Sequence, residues 1–94
     1  MSEFHYTPFN TTEAATKYAA WLTREGIADA AVVRDADEPE IVTVSFTIED
    51  EYLSIVFYGD GRVCFYEEAA GLLDEGEFTT ESDALLFALE CSEL

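Results

Sequence analysis

The chain has 94 residues, with 21 Asp and Glu against four Lys and Arg, for a formal net charge of −17 at pH 7. Hydrophobic residues make up 49% and aromatics 14%, which excludes a disordered acidic tail, since such chains lack the residues that build a core. Self-repulsion on this scale opposes a compact state, so one-signed charge on a folded domain speaks of its partners or its solvent.

The length predicts one domain over residues 1–94, with residues 1–9 as a mobile arm. No apolar run approaches the roughly 20 residues needed to span a bilayer. Met1-Ser2-Glu3-Phe4-His5 lacks the layout of a signal peptide, and a cytoplasmic location is expected. The acidity disfavours direct contact with nucleic acid or an anionic membrane, both of which attract Lys and Arg. It favours a basic protein partner reached by long-range steering. Cys64 and Cys91 are too few and too far apart for a zinc site or a CxxC redox motif, and free thiols are expected.

Along the chain, Pro8 ends an extended start. Asn10 is a good N-cap, Glu13 completes a capping box, and Phe9 with Ala14 stand at staple positions. A helix follows from Thr11 to about Glu25, closed by Gly26, with Ala14, Ala15, Tyr18, Ala19, Trp21 and Leu22 as its buried stripe. Ala30 to Arg34 reads as a short strand. Ile41–Ile48, Tyr52–Tyr58 and Arg62–Tyr66 alternate with period two, placing Val44, Phe46, Ile55, Phe57 and Phe65 on one face. Matching that face across a short turn at Glu49–Tyr52 pairs Ile48 with Leu53. A three-residue loop, Gly59-Asp60-Gly61, pairs Phe57 with Val63 and gives Gly61 the left-handed position. Gly71 and Gly76 make Glu67–Gly76 a broken connection. Thr80 with Asp83 caps a last helix to about Cys91, with Leu85, Leu86, Ala88 and Leu89 on its apolar side. The expected class is α+β: a two-layer sandwich of an N-terminal helix, a four-stranded antiparallel meander and a C-terminal helix.

Catalytic chemistry finds no footing in this pattern. His5 is the single histidine and has no nucleophile near it in sequence, and no phosphate-binding glycine loop, HExxH or nucleophile elbow is present. The chain is therefore read as a non-enzyme without cofactors. The run Asp35-Ala36-Asp37-Glu38-Pro39-Glu40 puts Pro39 where a calcium loop needs an oxygen ligand and Glu40 where it needs glycine, so no metal site is expected.

Two surfaces remain. The second sheet face carries Ile41, Thr43, Ser45, Thr47, Tyr52, Ser54, Val56, Tyr58, Arg62, Cys64 and Tyr66 without a carboxylate. It is read as a solvated face or as a contact face centred on Tyr52, Tyr58 and Tyr66, which would also suit a homodimer. The acids form the other surface. Asp35, Asp37, Glu38, Glu40 and Asp60 should gather at one end of the meander, and Glu49, Asp50, Glu51, Glu67 and Glu68 at the other. Asp74, Glu75, Glu77, Glu81 and Asp83 fall on the last connection and the start of the final helix.

In size, acidity, compact α+β pattern and absence of catalytic motifs, the chain resembles the small DNA-mimic inhibitors that phages and mobile elements encode, of the anti-CRISPR and anti-restriction class. That resemblance implies carboxylates standing in for backbone phosphates in the basic groove of a nucleic-acid-binding protein or complex. The expected contact residues are Asp35, Asp37, Glu38, Glu40, Glu49, Asp50 and Glu51, on loops anchored by the best-defined strands. Two other readings stand beside it. Dense acids with a single Lys suit a protein adapted to high internal salt. A small acidic α+β domain also suits a secretion chaperone or an immunity protein that neutralises a basic effector.

Overall fold

The computed structural model describes residues 8–93, so His5 and the expected arm up to residue 7 lie outside the described residues. The element order is α1 (Thr11–Arg24), β1 (Ala30–Arg34), β2 (Val42–Ile48), β3 (Glu51–Phe57), β4 (Arg62–Glu67), β5 (Gly71–Glu77) and α2 (Glu81–Ser92). The strands form one antiparallel sheet in sequence order, with α1 packed on β1–β3 and α2 on β4 and β5. This is the expected two-layer α+β class with a fifth strand added.

The helix caps follow their residues. The Asn10 side chain accepts a hydrogen bond from the Glu13 amide at 2.9 Å. Phe9 and Ala14 on either side of it are both buried in the core, so the chain is anchored from Phe9 onward. At the far end Gly26 takes φ +71, its amide bonds the Thr23 carbonyl, and the Ile27 amide bonds the Leu22 carbonyl. That pair of bonds satisfies carbonyls the helix leaves free.

Three features differ from expectation. In the β2–β3 hairpin Ile48 faces Glu51, not Leu53, so that Phe46 pairs with Leu53, Val44 with Ile55 and Val42 with Phe57. The cause is a two-residue turn, Glu49 and Asp50, both at positive φ as such tight hairpins require. A shift of two residues keeps every side chain on its face, and the core pattern survives.

The second difference is β5, expected to be a broken connection. Its glycines serve the strand. Gly71 takes φ +84 at the exit of the turn, and a Cβ on Gly76 would come within 2.7 Å of the Phe78 ring. Between Phe65↔Asp74 and Tyr66↔Leu72 the register shifts by one extra residue, Leu73, which erases the period-two signal.

The third is Leu86, expected on the apolar side of α2 but 55% exposed. α2 buries Ala84, Ala88, Cys91 and Ser92. Leu86, two positions from both Ala84 and Ala88, points about 200° around the helix from them. The β3–β4 loop agrees with expectation: Phe57 pairs with Val63, and Gly61 takes φ +100.

Tyr18 is the largest fully buried side chain. It meets Phe46 and Phe57 edge-on, with ring centroids 6.0 and 6.3 Å away. Its hydroxyl bonds Ser92 Oγ, and that hydroxyl in turn donates to the Ala88 carbonyl at 3.0 Å. One polar chain thus ties α1 to the last turn of α2. Ser92→Ala leaves the Tyr18 hydroxyl buried without its acceptor and is expected to cost about 1–3 kcal/mol in urea unfolding. Adding Tyr18→Phe should recover part of that loss, whereas a double variant no more stable than Ser92→Ala alone would show that the hydroxyl is otherwise satisfied.

Candidate acidic binding surface

The seven acids expected to form a contact set are divided between two ends of the sheet. Asp35, Asp37, Glu38 and Glu40 lie in the β1–β2 connection, at the same end as Asp60 of the β3–β4 loop. Glu49, Asp50 and Glu51 lie at the opposite end with Glu67 and Glu68. The length of β2 separates the groups, about 20 Å at strand rise. Each end is gathered as expected, but the two do not meet in one patch.

The first loop is ordered from within. Asp35 Oδ1 accepts hydrogen bonds from the Asp37 and Glu38 amides at 2.8 and 3.0 Å. Those bonds, that from Glu38 foremost, hold the Asp35 carboxyl below its ordinary range. Glu40 is the least available of the set. Its carbonyl accepts from Thr11 Oγ1 at 2.7 Å, and its side chain lies over Gly59, where a Cβ would come 2.4 Å from Glu40 Cγ. Glu40 Oε1 has no hydrogen-bond partner among the described residues. Glu40 therefore braces this end of the sheet, and the other six acids are exposed.

What sequence reasoning missed is that β5 joins the two ends. Asp74, Glu75 and Glu77 are exposed on this edge strand, which starts next to Glu67 and finishes opposite Arg62. Glu75 and Glu77 point to the same face about 7 Å apart. Glu75 and Glu77, two apart after Leu72-Leu73, were the available signal, masked by Gly76 and the bulge.

The helix-free face of the sheet is also more acidic than expected. Pairing sets Glu75 opposite Cys64 and Glu77 opposite Arg62, so this face does carry carboxylates. Side chains form rows across it. One runs Ala31, Ser45, Ser54, Tyr66 and Leu72; the next runs Val33, Thr43, Val56 and Cys64. Tyr58 and Tyr66, from rows on either side of Val56 and Cys64, bring their hydroxyls to 3.3 Å above them. Val56 and Cys64 are consequently buried on a face that no helix covers. The hydrogen bond to Tyr58 and partial burial push the Tyr66 phenol well up. The Arg62 guanidinium lies over the Tyr58 ring at 4.3 Å and reaches Asp60 at 3.1 Å. Of the three tyrosines expected as a contact face, two are thus engaged with each other, and Tyr52 stands 64% exposed.

Little positive charge offsets the acids. Lys17 bridges to Glu81 at 2.6 Å, linking the two helices, and Arg24 lies 3.7 Å from Glu25. Among the described residues no three His, Cys, Asp or Glu stand together in a way that could hold a metal ion, and no helix is long and apolar enough to cross a membrane. Both cysteines are free and buried, and burial pushes the Cys64 thiol up and that of Cys91 to about 11. No family model matches the chain, and no curated protein or solved structure shows significant similarity to it.

Burial also raises the Tyr18 phenol above its ordinary value, so Tyr18 and Cys91 are both favoured in their neutral forms by the fold. The stability this contributes is complete below the ordinary thiol value of 9.0 and is lost as pH climbs through about 11, where Cys91 ionises in the folded state. Urea unfolding as a function of pH should show stability falling across that window. Cys91→Ala should flatten the first part of the fall, and an identical profile in this variant would remove Cys91 from the explanation.

Proposed function

We propose that the chain is an acidic inhibitor, acting in the cytoplasm, that occupies a basic nucleic-acid-binding surface of a target protein or complex by DNA mimicry of the anti-CRISPR or anti-restriction type. The observation that carries this reading is the acidic edge: Glu67 and Glu68 at one turn, Asp74, Glu75 and Glu77 along β5, and Asp60 at the other end. The hydrogen-bonded sheet fixes the backbone that carries the β5 carboxylates before binding, so the ordering cost of association there falls on side-chain rotamers and not on the strand. Duplex DNA attracts its proteins through a dense row of fixed negative charge, and a rigid acidic edge offers the same long-range field. The partner in this reading is a basic protein surface, not nucleic acid itself.

One observation favours a second reading. Acids also crowd both ends of the sheet and the first turn of α2, a distribution that solvent adaptation to high salt would produce without any partner. The two readings separate in an inhibition assay. The chain is added to a panel of restriction endonucleases and CRISPR effector complexes, and DNA cleavage is followed. At least one should be inhibited near stoichiometry at about 0.1 M salt and released toward about 1 M, as the Debye length shrinks from ~10 to ~3 Å. Asp74→Asn with Glu75→Gln and Glu77→Gln should weaken inhibition about tenfold or more. Cleavage untouched across the panel, or inhibition indifferent to the triple variant, would overturn the proposal.

A further inference from the structure

On the helix-free face, the end of the sheet bearing Glu49–Glu51 holds an open cleft of about 620 Å³. Its origin lies in the strand register. The small side chains of Ser45 and Ser54 sit side by side in one row, and the aromatic walls Tyr66 and Tyr52 rise beside them in the same row and the next. Asp29 and Glu68 flank the cleft from opposite sides, Glu68 being tied down by its amide bond to the Tyr52 carbonyl at 2.9 Å. By the antiparallel count these two carboxylates terminate the row that contains Thr47 and Tyr52, three strand spacings or about 14 Å apart.

We infer that this cleft is a docking site for an arginine-bearing segment of a protein partner, with guanidinium groups seated against Tyr52 and Tyr66 and drawn by Asp29 and Glu68. The inference rests on the proposal that the partner is a basic protein, and it names where one of that partner's cations would anchor. Charge decides the occupant: aromatic walls flanked by two carboxylates that form no ion pair among the described residues repel an acidic or a second −17 surface and attract a cation. Shape decides between the cations. A planar guanidinium stacks on tyrosine, whereas an ammonium is compact and strongly hydrated. The same sheet face already shows the preferred arrangement, with the Arg62 guanidinium over the Tyr58 ring. Tyr52, 64% exposed and outside the Tyr58–Tyr66 pair, is free to take the same part toward a partner.

The test is a backbone amide NMR titration of the full chain with capped hexa-arginine and hexalysine peptides at about 150 mM salt, where the Debye length is ~8 Å. Hexa-arginine should shift Ser45, Ser54 and Tyr66 first and bind several-fold more tightly than hexalysine. Asp29→Asn with Glu68→Gln, and separately Tyr52→Ala, should each weaken it about threefold to tenfold. Asp37→Asn with Glu38→Gln removes the same charge at the opposite end and should change affinity less than about twofold. Ser45→Trp, which fills the cleft from an exposed position, should abolish the local shifts without touching the core. Equal losses from the two charge variants, or shifts spread over both ends of the sheet, would overturn the cleft and leave only diffuse attraction. Failure here is distinct from failure of the inhibitor reading. Inhibition that survives Ser45→Trp and Tyr52→Ala sinks the cleft alone, and a cleft that binds hexa-arginine in a chain inhibiting nothing sinks the inhibitor alone.

Discussion

Mutual repulsion among surface carboxylates is the constraint every other part of this molecule must meet. Two unit charges 10 Å apart in water repel by about 0.4 kcal/mol, and salt reduces this further. Burying one Val, Leu, Ile or Phe side chain contributes about 1.5–3 kcal/mol. A layer containing Leu22, Val42, Val44, Phe46, Leu53, Ile55, Phe57, Val63 and Phe65 therefore outweighs many such repulsions, provided the charges stay spread. They are divided among the two ends of the sheet, the β5 edge and the helix termini, and among the described residues no carboxylate belongs to the buried core. Tyr18 belongs to the same solution. Its ring fills the layer between Phe46 and Phe57, and its hydroxyl secures α2 alongside the Lys17–Glu81 bridge and the direct packing of the two helices.

The two edges of the sheet are managed differently. β5 is an edge strand with carboxylates on both faces and a bulge, features that discourage another strand from pairing there. The same features make it a rigid mount for negative charge. β1 carries no acid between Ala30 and Arg34 and leaves Val33 exposed, so the charge field is asymmetric across the sheet. Between the edges, the helix-free face is divided into a closed half, where Tyr58 and Tyr66 roof over Val56 and Cys64, and an open half, where serines leave space beside Tyr52. Side-chain size in adjacent rows accounts for that division.

Much of this was legible in the residues. The Asn10 cap, the helical recurrence from Ala14 to Leu22, the alternation in Val42–Ile48 and the glycine pair about Asp60 each carry a local rule that the fold obeys, whereas the expected return bond from the Glu13 side chain to the Asn10 amide is not made. Register at Glu49–Asp50 was not legible, because a tight turn built from two non-glycine residues at positive φ is uncommon, and a slip of two residues leaves the hydrophobic pattern unchanged. β5 was hidden for a related reason. Gly76 reads as a breaker until Phe78 is seen packed on it, and the extra Leu73 cancels the alternation. The acidic site suffered accordingly: the clusters at each end followed from topology, but the strand that links them depends on a tertiary contact. The cleft beside Tyr52 was beyond sequence, since it arises only when Ser45 and Ser54 are set next to each other by pairing.

Whether the core carries the charge without help from salt is the question that decides between an anionic surface made for a partner and one made for brine. A thermal melt followed by circular dichroism, in dilute buffer and in molar KCl, answers it directly. A surface displayed for a basic partner predicts a cooperative transition at low salt that shifts upward only modestly with KCl. A chain unfolded in dilute buffer and restored by KCl would contradict it, and the acids would then belong to the solvent.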